Sequence, residues 1–222
     1  MSRRTIEAVL FDLDGTLVDS APDLAGAAND LRAEHGLPPL AYERLRPMVG
    51  TGARGMVGVA FGLQPGDAQY ETLREAFLAR YERRMLQDTA VFAAVQPVLA
   101  ALDAASLPWG IVTNKALRFA EPVVHGVGLR RRSAVLIGGD STPHAKPHPA
   151  PLLAAAGHIG VAPERCVYIG DDHRDVIAGR AAGMATLAAA WGYLGAGEPI
   201  EAWGADAVIA EPAALLRWLE LG

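Results

Sequence analysis

The feature that most constrains this chain is a series of short apolar runs that stop abruptly at polar or acidic residues. The first, Ala8-Val9-Leu10-Phe11, runs straight into Asp12-Leu13-Asp14-Gly15-Thr16. Consecutive apolar residues without polar alternation suit a strand buried on both faces. Comparable runs recur at 109–113, 134–137, 166–169, 185–189 and 207–210, separated by helix-like stretches at 95–105, 119–127, 150–159 and 176–182. That alternation reads as a parallel sheet with right-handed helical crossovers. From about residue 20 to 87 the alternation fails: 22–34, 42–48, 52–61 and 69–84 carry helical spacing, with no convincing strand between them. The last of these is highly charged, and Glu71, Glu75, Arg80, Arg83 and Arg84 are expected on its solvent side. The expected fold class is α/β: a three-layer core from 1–18 and 89–222, with a small all-helical insert, 19–88, after the first strand.

Composition narrows the function classes. With 222 residues, 51% of them hydrophobic, the chain can bury a substantial core, which excludes whole-chain disorder. Lys and Arg total 20 against 25 Asp and Glu, so no overall basicity exists to drive nucleic-acid binding. Cys166 is the single cysteine and cannot form an intramolecular disulfide, so a cytoplasmic location is expected. The start, Met1-Ser2-Arg3-Arg4, is basic, but Glu7 and Asp12 interrupt the apolar run behind it and no small-residue cleavage site follows. The uncharged stretch 185–197 is too short and glycine-rich to cross a membrane. Neither nucleic acid nor membrane is an expected partner.

The chemistry-bearing residues sit where the apolar runs end. Asp12 and Asp14, two apart, direct both carboxylates to one side of the chain, beyond the strand end where open parallel sheets bind ligands. Such a pair can divide the work of nucleophile and acid/base or hold a metal. Thr113-Asn114 follows the second run, where a hydroxyl and backbone N–H groups can cradle a phosphate or simply cap a helix. Lys146, in the proline-stiffened loop His144-Ala145-Lys146-Pro147-His148-Pro149, can neutralise a phosphoryl group or an aspartate, or stand in solvent. His144, His148 and His158 match no usual zinc-ligand spacing. Gly170-Asp171-Asp172-His173-Arg174-Asp175 crowds three carboxylates behind another apolar run, a hard-oxygen set suited to magnesium, although Asp172 and Asp175 also suit helix capping.

Taken in order, strand-DLDGT, strand-TN, loop Lys-Pro and strand-GDDxxxD resemble the haloacid dehalogenase superfamily of aspartate-nucleophile phosphotransferases, along the whole chain. The resemblance implies a Rossmann-like core with a helical cap, and a small-molecule phosphate ester as substrate. It makes Asp12 the nucleophile that becomes an aspartyl-phosphate, and Asp14 the acid and then base. It implies Mg²⁺ held by Asp12, the backbone carbonyl of Asp14, and Asp171. Thr113 and the Asn114 backbone would hold a phosphoryl oxygen, Lys146 would offset negative charge, and Asp175 would support the site from outside the metal shell. Asp172 and His173 receive no catalytic role. Asp14 favours ester hydrolysis over dehalogenation, because an alkoxide needs a proton and a halide does not. A phosphomutase and a non-enzymatic receiver-type module are the alternatives.

Within the superfamily, the stretch Val49-Gly50-Thr51-Gly52-Ala53-Arg54-Gly55 looks like the phosphoglycolate phosphatase group, in which Arg54 would clamp a substrate carboxylate. Trp109 to Lys115, Arg118 to Pro122, and Trp203-Gly204-Ala205-Asp206 look like the phosphatases of N-acetylmuramic acid 6-phosphate. Both substrates carry a carboxylate. The expected oligomeric state is monomer or homodimer.

Overall fold

The structure, a computed structural model, describes residues 5–221. The first apolar run forms β1 (Ala8–Phe11), every residue of it buried. A short strand β2 (Val18–Asp19) leads into α1 (Ala21–Glu34), α2 (Tyr42–Leu45), α3 (Gly52–Phe61) and α4 (Tyr70–Arg84), and β3 (Ala90–Val91) brings the chain back. Then come α5 (Gln96–Ala104), β4 (Trp109–Val112), α6 (Leu117–Gly126), β5 (Leu136–Ile137), α7 (Ala150–Ile159), β6 (Cys166–Gly170), α8 (His173–Ala181), β7 (Ala185–Ala189), β8 (Ala207–Ile209) and α9 (Ala214–Leu219).

The main sheet is parallel throughout, in the order β5-β4-β1-β6-β7-β8. The two-residue period of a strand divides β1 between two cores. Val9 and Phe11 pack with Val98 and Leu99 of α5, Val123 of α6 and Leu215 of α9. Ala8 and Leu10 face the other way, toward Leu152 and Ala155 of α7 and Ala178 of α8. Helices therefore cover both faces, the requirement for an all-parallel sheet. Each fully buried large aliphatic side chain contributes about 1.5–3 kcal/mol, which makes β1 the anchor of the fold.

Register then positions the chemistry. Phe11 pairs with Ile111 on one side and Ile169 on the other, so Asp12 lies level with Val112 and Gly170. Thr113 and Asp171 emerge one residue further on, at the same sheet edge.

The insert helices have a core of their own, built on Leu24, Leu31, Leu45, Met56 and Phe77, joined by Phe119 and Tyr193 from the sheet side. Several details differ from the sequence reading. Antiparallel β2 and β3 frame the insert, too short for any alternation to reveal them. The helix expected over 42–48 is α-helical only to Leu45 and continues as a 3₁₀ helix over Arg46–Thr51, because Pro47 has no N–H to bond back to Glu43. Helix α8 begins at His173, earlier than expected: Asp172 and Asp175 form a reciprocal capping box that starts it there. Arg80 and Arg84 are not on a solvent face. Arg80 pairs with Glu34, and Arg84 lies 2.6 Å from Asp30 and 3.7 Å from the buried Asp23, tying α4 to α1. Among the described residues, no helix is long and apolar enough to cross a membrane.

Candidate active site

The turn after β1 is dictated by Gly15. Its φ is +83°, and a Cβ there would lie 2.2 Å from Asp171 Oδ2, so only glycine allows the close approach. Gly192 presses on Asp171 from the other side, where a Cβ would lie 2.1 Å from the aspartate's own Cβ. Asp171 is thus wedged between two glycines. Its Oδ1 accepts from Thr16 Oγ1 at 2.8 Å and its Oδ2 from the Tyr193 N–H at 2.7 Å. Burial, with Asp12 and Asp175 adding, still pushes its carboxyl well above the usual range.

Lys146 occupies the centre of the site, almost fully buried. Its ammonium lies 2.9 Å from Asp12 Oδ1 and 2.8 Å from Asp175 Oδ1, and donates to the Val112 carbonyl at 3.0 Å and the Tyr168 hydroxyl at 2.7 Å. Burial works against its charge, but the two carboxylates outweigh burial and raise its pKa. The solvated-loop reading of Lys146 is therefore excluded. Its loop is held by Asn114, whose side-chain carbonyl accepts from the Lys146 N–H and whose amide donates to the Lys146 carbonyl, both at 2.9 Å. The Asn114 side chain is thus committed to the loop, so any contact it makes with substrate falls to its backbone. Buried Thr113 receives the Lys115 N–H at 3.1 Å on its hydroxyl.

Each aspartate of the first motif has its own lysine. Asp12 also accepts the Leu13 N–H at 2.7 Å, again on Oδ1, and burial pushes its carboxyl up to about 7 against the pull of Lys146. Asp14 pairs through Oδ2 with Lys115 Nζ at 3.0 Å and accepts the Ser20 hydroxyl on Oδ1. Lys115 in turn lies 4.7 Å from the Tyr81 ring centre, and burial of its charge is outweighed by Asp14 and Tyr81. Asp172 caps α8 and takes both Nε and Nη2 of Arg174 at 2.7 Å, and the same guanidinium reaches the Gly50 carbonyl in the insert.

These groups line a cavity of about 400 Å³ between the sheet edge and the insert, which contains Asp12, Asp14, Thr113, Asn114, Lys146, Asp171 and Asp175. The insert adds apolar wall from Leu24, Phe77 and Leu78, and cations reach it from Arg74, Lys115, Arg118 and Arg174. Arg54 is not among the lining residues. Ala53 lines the cavity, and one residue further along α3 the helix has turned about 100°, leaving Arg54 exposed. The expected contact of Arg54 with substrate is therefore not made from this cavity's wall in this conformation. Sequence reading missed Ser20, Tyr81, Lys115 and Tyr193. Only Lys115 left a signal, standing beside Thr113-Asn114 just beyond a strand end.

Carboxylate oxygens of Asp12, Asp171 and Asp175 all lie within 4.8 Å of one another. Such hard oxygen donors fit a small divalent cation. The Asp14 carboxylate stands outside this cluster, turned to Lys115 and Ser20.

Fold and site together define an α/β protein with a buried cluster of aspartates and lysines at the C-terminal edge of a parallel sheet. A family model for haloacid dehalogenase-like hydrolases matches residues 6–183, and the chain belongs to that family. It is 43% identical over 220 residues to an N-acetylmuramic acid 6-phosphate phosphatase of Pseudomonas aeruginosa, covering 99% of this chain and 97% of that one. It is 48% identical over 206 residues to a phosphoglycolate phosphatase of Xanthomonas campestris pv. campestris, covering 92% of each. Among solved structures, a predicted phosphoglycolate phosphatase from Haemophilus somnus aligns with a TM-score of 0.85 at 27% identity, over 96% of this chain and 97% of that chain.

Proposed function

We propose that the chain is a Mg²⁺-dependent phosphatase that hydrolyses a small carboxylate-bearing phosphate monoester through an aspartyl-phosphate on Asp12. The observation that carries this reading is the pair of aspartates at one strand end, each held by a separate lysine. Two acids in different settings can perform different steps. Among the described residues, both polar contacts to the Asp12 carboxylate fall on Oδ1, which leaves Oδ2 as the oxygen that attacks phosphorus. Thr113 receives a phosphoryl oxygen, and Lys146 holds Asp12 in line while offsetting the charge that gathers there.

Lys115 occupies Asp14 Oδ2, the oxygen that must meet the leaving group. An incoming ester has to draw that ammonium away, and Asp14 has to take up a proton from solvent or from the monoanionic ester, before Asp14 can protonate the departing alkoxide. Asp14 then takes a proton from the water that hydrolyses the aspartyl-phosphate. Asp12 and Asp171 would hold the Mg²⁺, with Asp175 bracing Lys146 beside them. Bound there, the ion would supply charge neutralisation at the reacting carboxylate.

Residues 19–88 act as the cap that selects the ester. The substrate carboxylate is received by Arg118 at the cavity wall, with Arg74 and Lys115 adding positive charge nearby. The cavity volume exceeds what a two-carbon ester needs, so N-acetylmuramic acid 6-phosphate, the substrate named for one relative, is favoured over 2-phosphoglycolate, named for another. Its removal serves cell-wall sugar recycling in the cytoplasm. The test is inorganic phosphate release from each ester with Mg²⁺ and no added bisphosphate. Higher kcat/KM for the sugar ester supports the reading. Turnover only with a bisphosphate makes the chain a mutase, and none with any ester refutes the assignment.

A further inference from the structure

Helix α1 begins with an unusual division of labour. A serine at the N-cap ordinarily turns its hydroxyl onto the helix's own free N–H groups. Ser20 makes no such bond; its hydroxyl goes to Asp14 Oδ1. The Ser20 N–H is satisfied instead from far along the chain, and the Ala21 N–H chiefly so, with a longer contact of 3.3 Å to Asp19 Oδ1. The Tyr193 hydroxyl accepts the Ser20 N–H at 2.8 Å and the Ala21 N–H at 3.0 Å, and donates to Asp19 Oδ1 at 3.0 Å. Pro22, the next residue, has no N–H to satisfy. One donor and two acceptor positions exhaust a phenolic hydroxyl, so all of its capacity is spent at this junction.

Tyr193 is itself fixed along its whole length. Its backbone N–H is bonded to Asp171, its ring lies 4.9 Å beneath the Arg46 guanidinium, and the residue is 3% exposed. Ser20 and Ala21 are fully buried; the Ala21 N–H also lies 3.3 Å from Asp19 Oδ1, but without the tyrosine hydroxyl the Ser20 N–H has no water to turn to.

We propose that Tyr193 is a positioning residue for Asp14: by taking over the capping of α1 it frees the Ser20 hydroxyl to orient the Asp14 carboxylate. With Oδ1 held by Ser20, Oδ2 is aimed at the leaving oxygen. The inference rests on the acid–base role given to Asp14 above, and its test keeps the two apart.

The experiment compares kcat and KM for an alkyl phosphate, whose leaving group needs a proton, with those for p-nitrophenyl phosphate, whose leaving group barely does. The variants are Tyr193→Phe, Ser20→Ala, their double, and Asp14→Asn, with urea midpoints to confirm folding. Tyr193→Phe should lower kcat for the alkyl ester about tenfold relative to the aryl ester, with KM little changed. Ser20→Ala should do the same, and the double variant should lose no more than either alone. Equal losses on both esters, or selective losses that multiply in the double variant, overturn the proposal. If Tyr193→Phe does not fold, Ser20→Ala carries the test, and an unselective loss there overturns it. If Asp14→Asn itself shows no leaving-group selectivity, the acid–base reading of Asp14 fails and this inference with it. Selectivity in Asp14→Asn but not in Tyr193→Phe defeats the inference alone.

Discussion

Stripped of divalent cations, the protein should gain stability as the pH falls from about 8 to about 5, the reverse of a fold held together by ionised carboxylates. Burial places the Asp12 carboxyl at about 7 rather than its usual 3.8, and a side chain only 13% exposed leaves little solvent screening. Between those two values the folded chain keeps a proton that the unfolded chain has released, so stability rises as the pH falls through that window. Asp12 alone then contributes a few kcal/mol, on the order of 2–3, between about pH 8 and pH 5. Asp171, also raised, adds in the same direction. Asp172 beside Arg174 and Glu34 beside Arg80 are held low, and their contributions fade only in more acid solution. Urea unfolding of EDTA-treated protein across this range, with and without millimolar Mg²⁺, measures the effect. An ion bound by ionised carboxylates should stabilise the fold more at the alkaline end, closing the gap. Metal-free stability that is flat, or that falls toward pH 5, would refute the reasoning about the acid cluster.

Three further outcomes follow from the same geometry. Lys146→Met leaves Asp12 and Asp175 without their shared cation and should cost about 3–5 kcal/mol in urea unfolding at neutral pH, besides abolishing turnover. Gly15→Ala should displace Asp171 and lower kcat at least about 100-fold, with a raised Mg²⁺ requirement in a metal titration. Arg118→Ala should raise KM for a carboxylate-bearing ester about tenfold and leave KM for p-nitrophenyl phosphate nearly alone, whereas Arg54→Ala should change neither. The opposite ranking of the two arginines would restore Arg54 as the carboxylate ligand.

What could be read from the chain alone was local. β1 and the turn after it are legible because Ala8 to Phe11 and Asp12 to Thr16 are contiguous, and strand periodicity is a local property. The capping roles of Asp172 and Asp175 were legible for the same reason. The partners of those residues were not. Tyr168 looks like any residue of a buried strand, yet its hydroxyl accepts from Lys146 and donates to the Val112 carbonyl. Tyr193 lies in a glycine-rich loop, and nothing local reveals that it closes the start of a helix 173 residues away. Arg84 looked solvated because charged helix positions usually are, and only tertiary pairing with α1 turned it inward. Arg54 was expected in the site on the strength of its glycine-rich neighbours. Helix phase, which composition does not carry, sets it outside.

The central claim is that Asp12 carries the phosphoryl group during turnover. It is tested most directly by mixing enzyme, Mg²⁺ and substrate, quenching in acid within one turnover, and weighing the peptide that contains Asp12. The account predicts that this peptide gains the mass of one phosphoryl group, and that Asp12→Asn folds normally but shows neither the adduct nor phosphate release. Phosphate release with no adduct on Asp12, or wild-type turnover in Asp12→Asn, would contradict it.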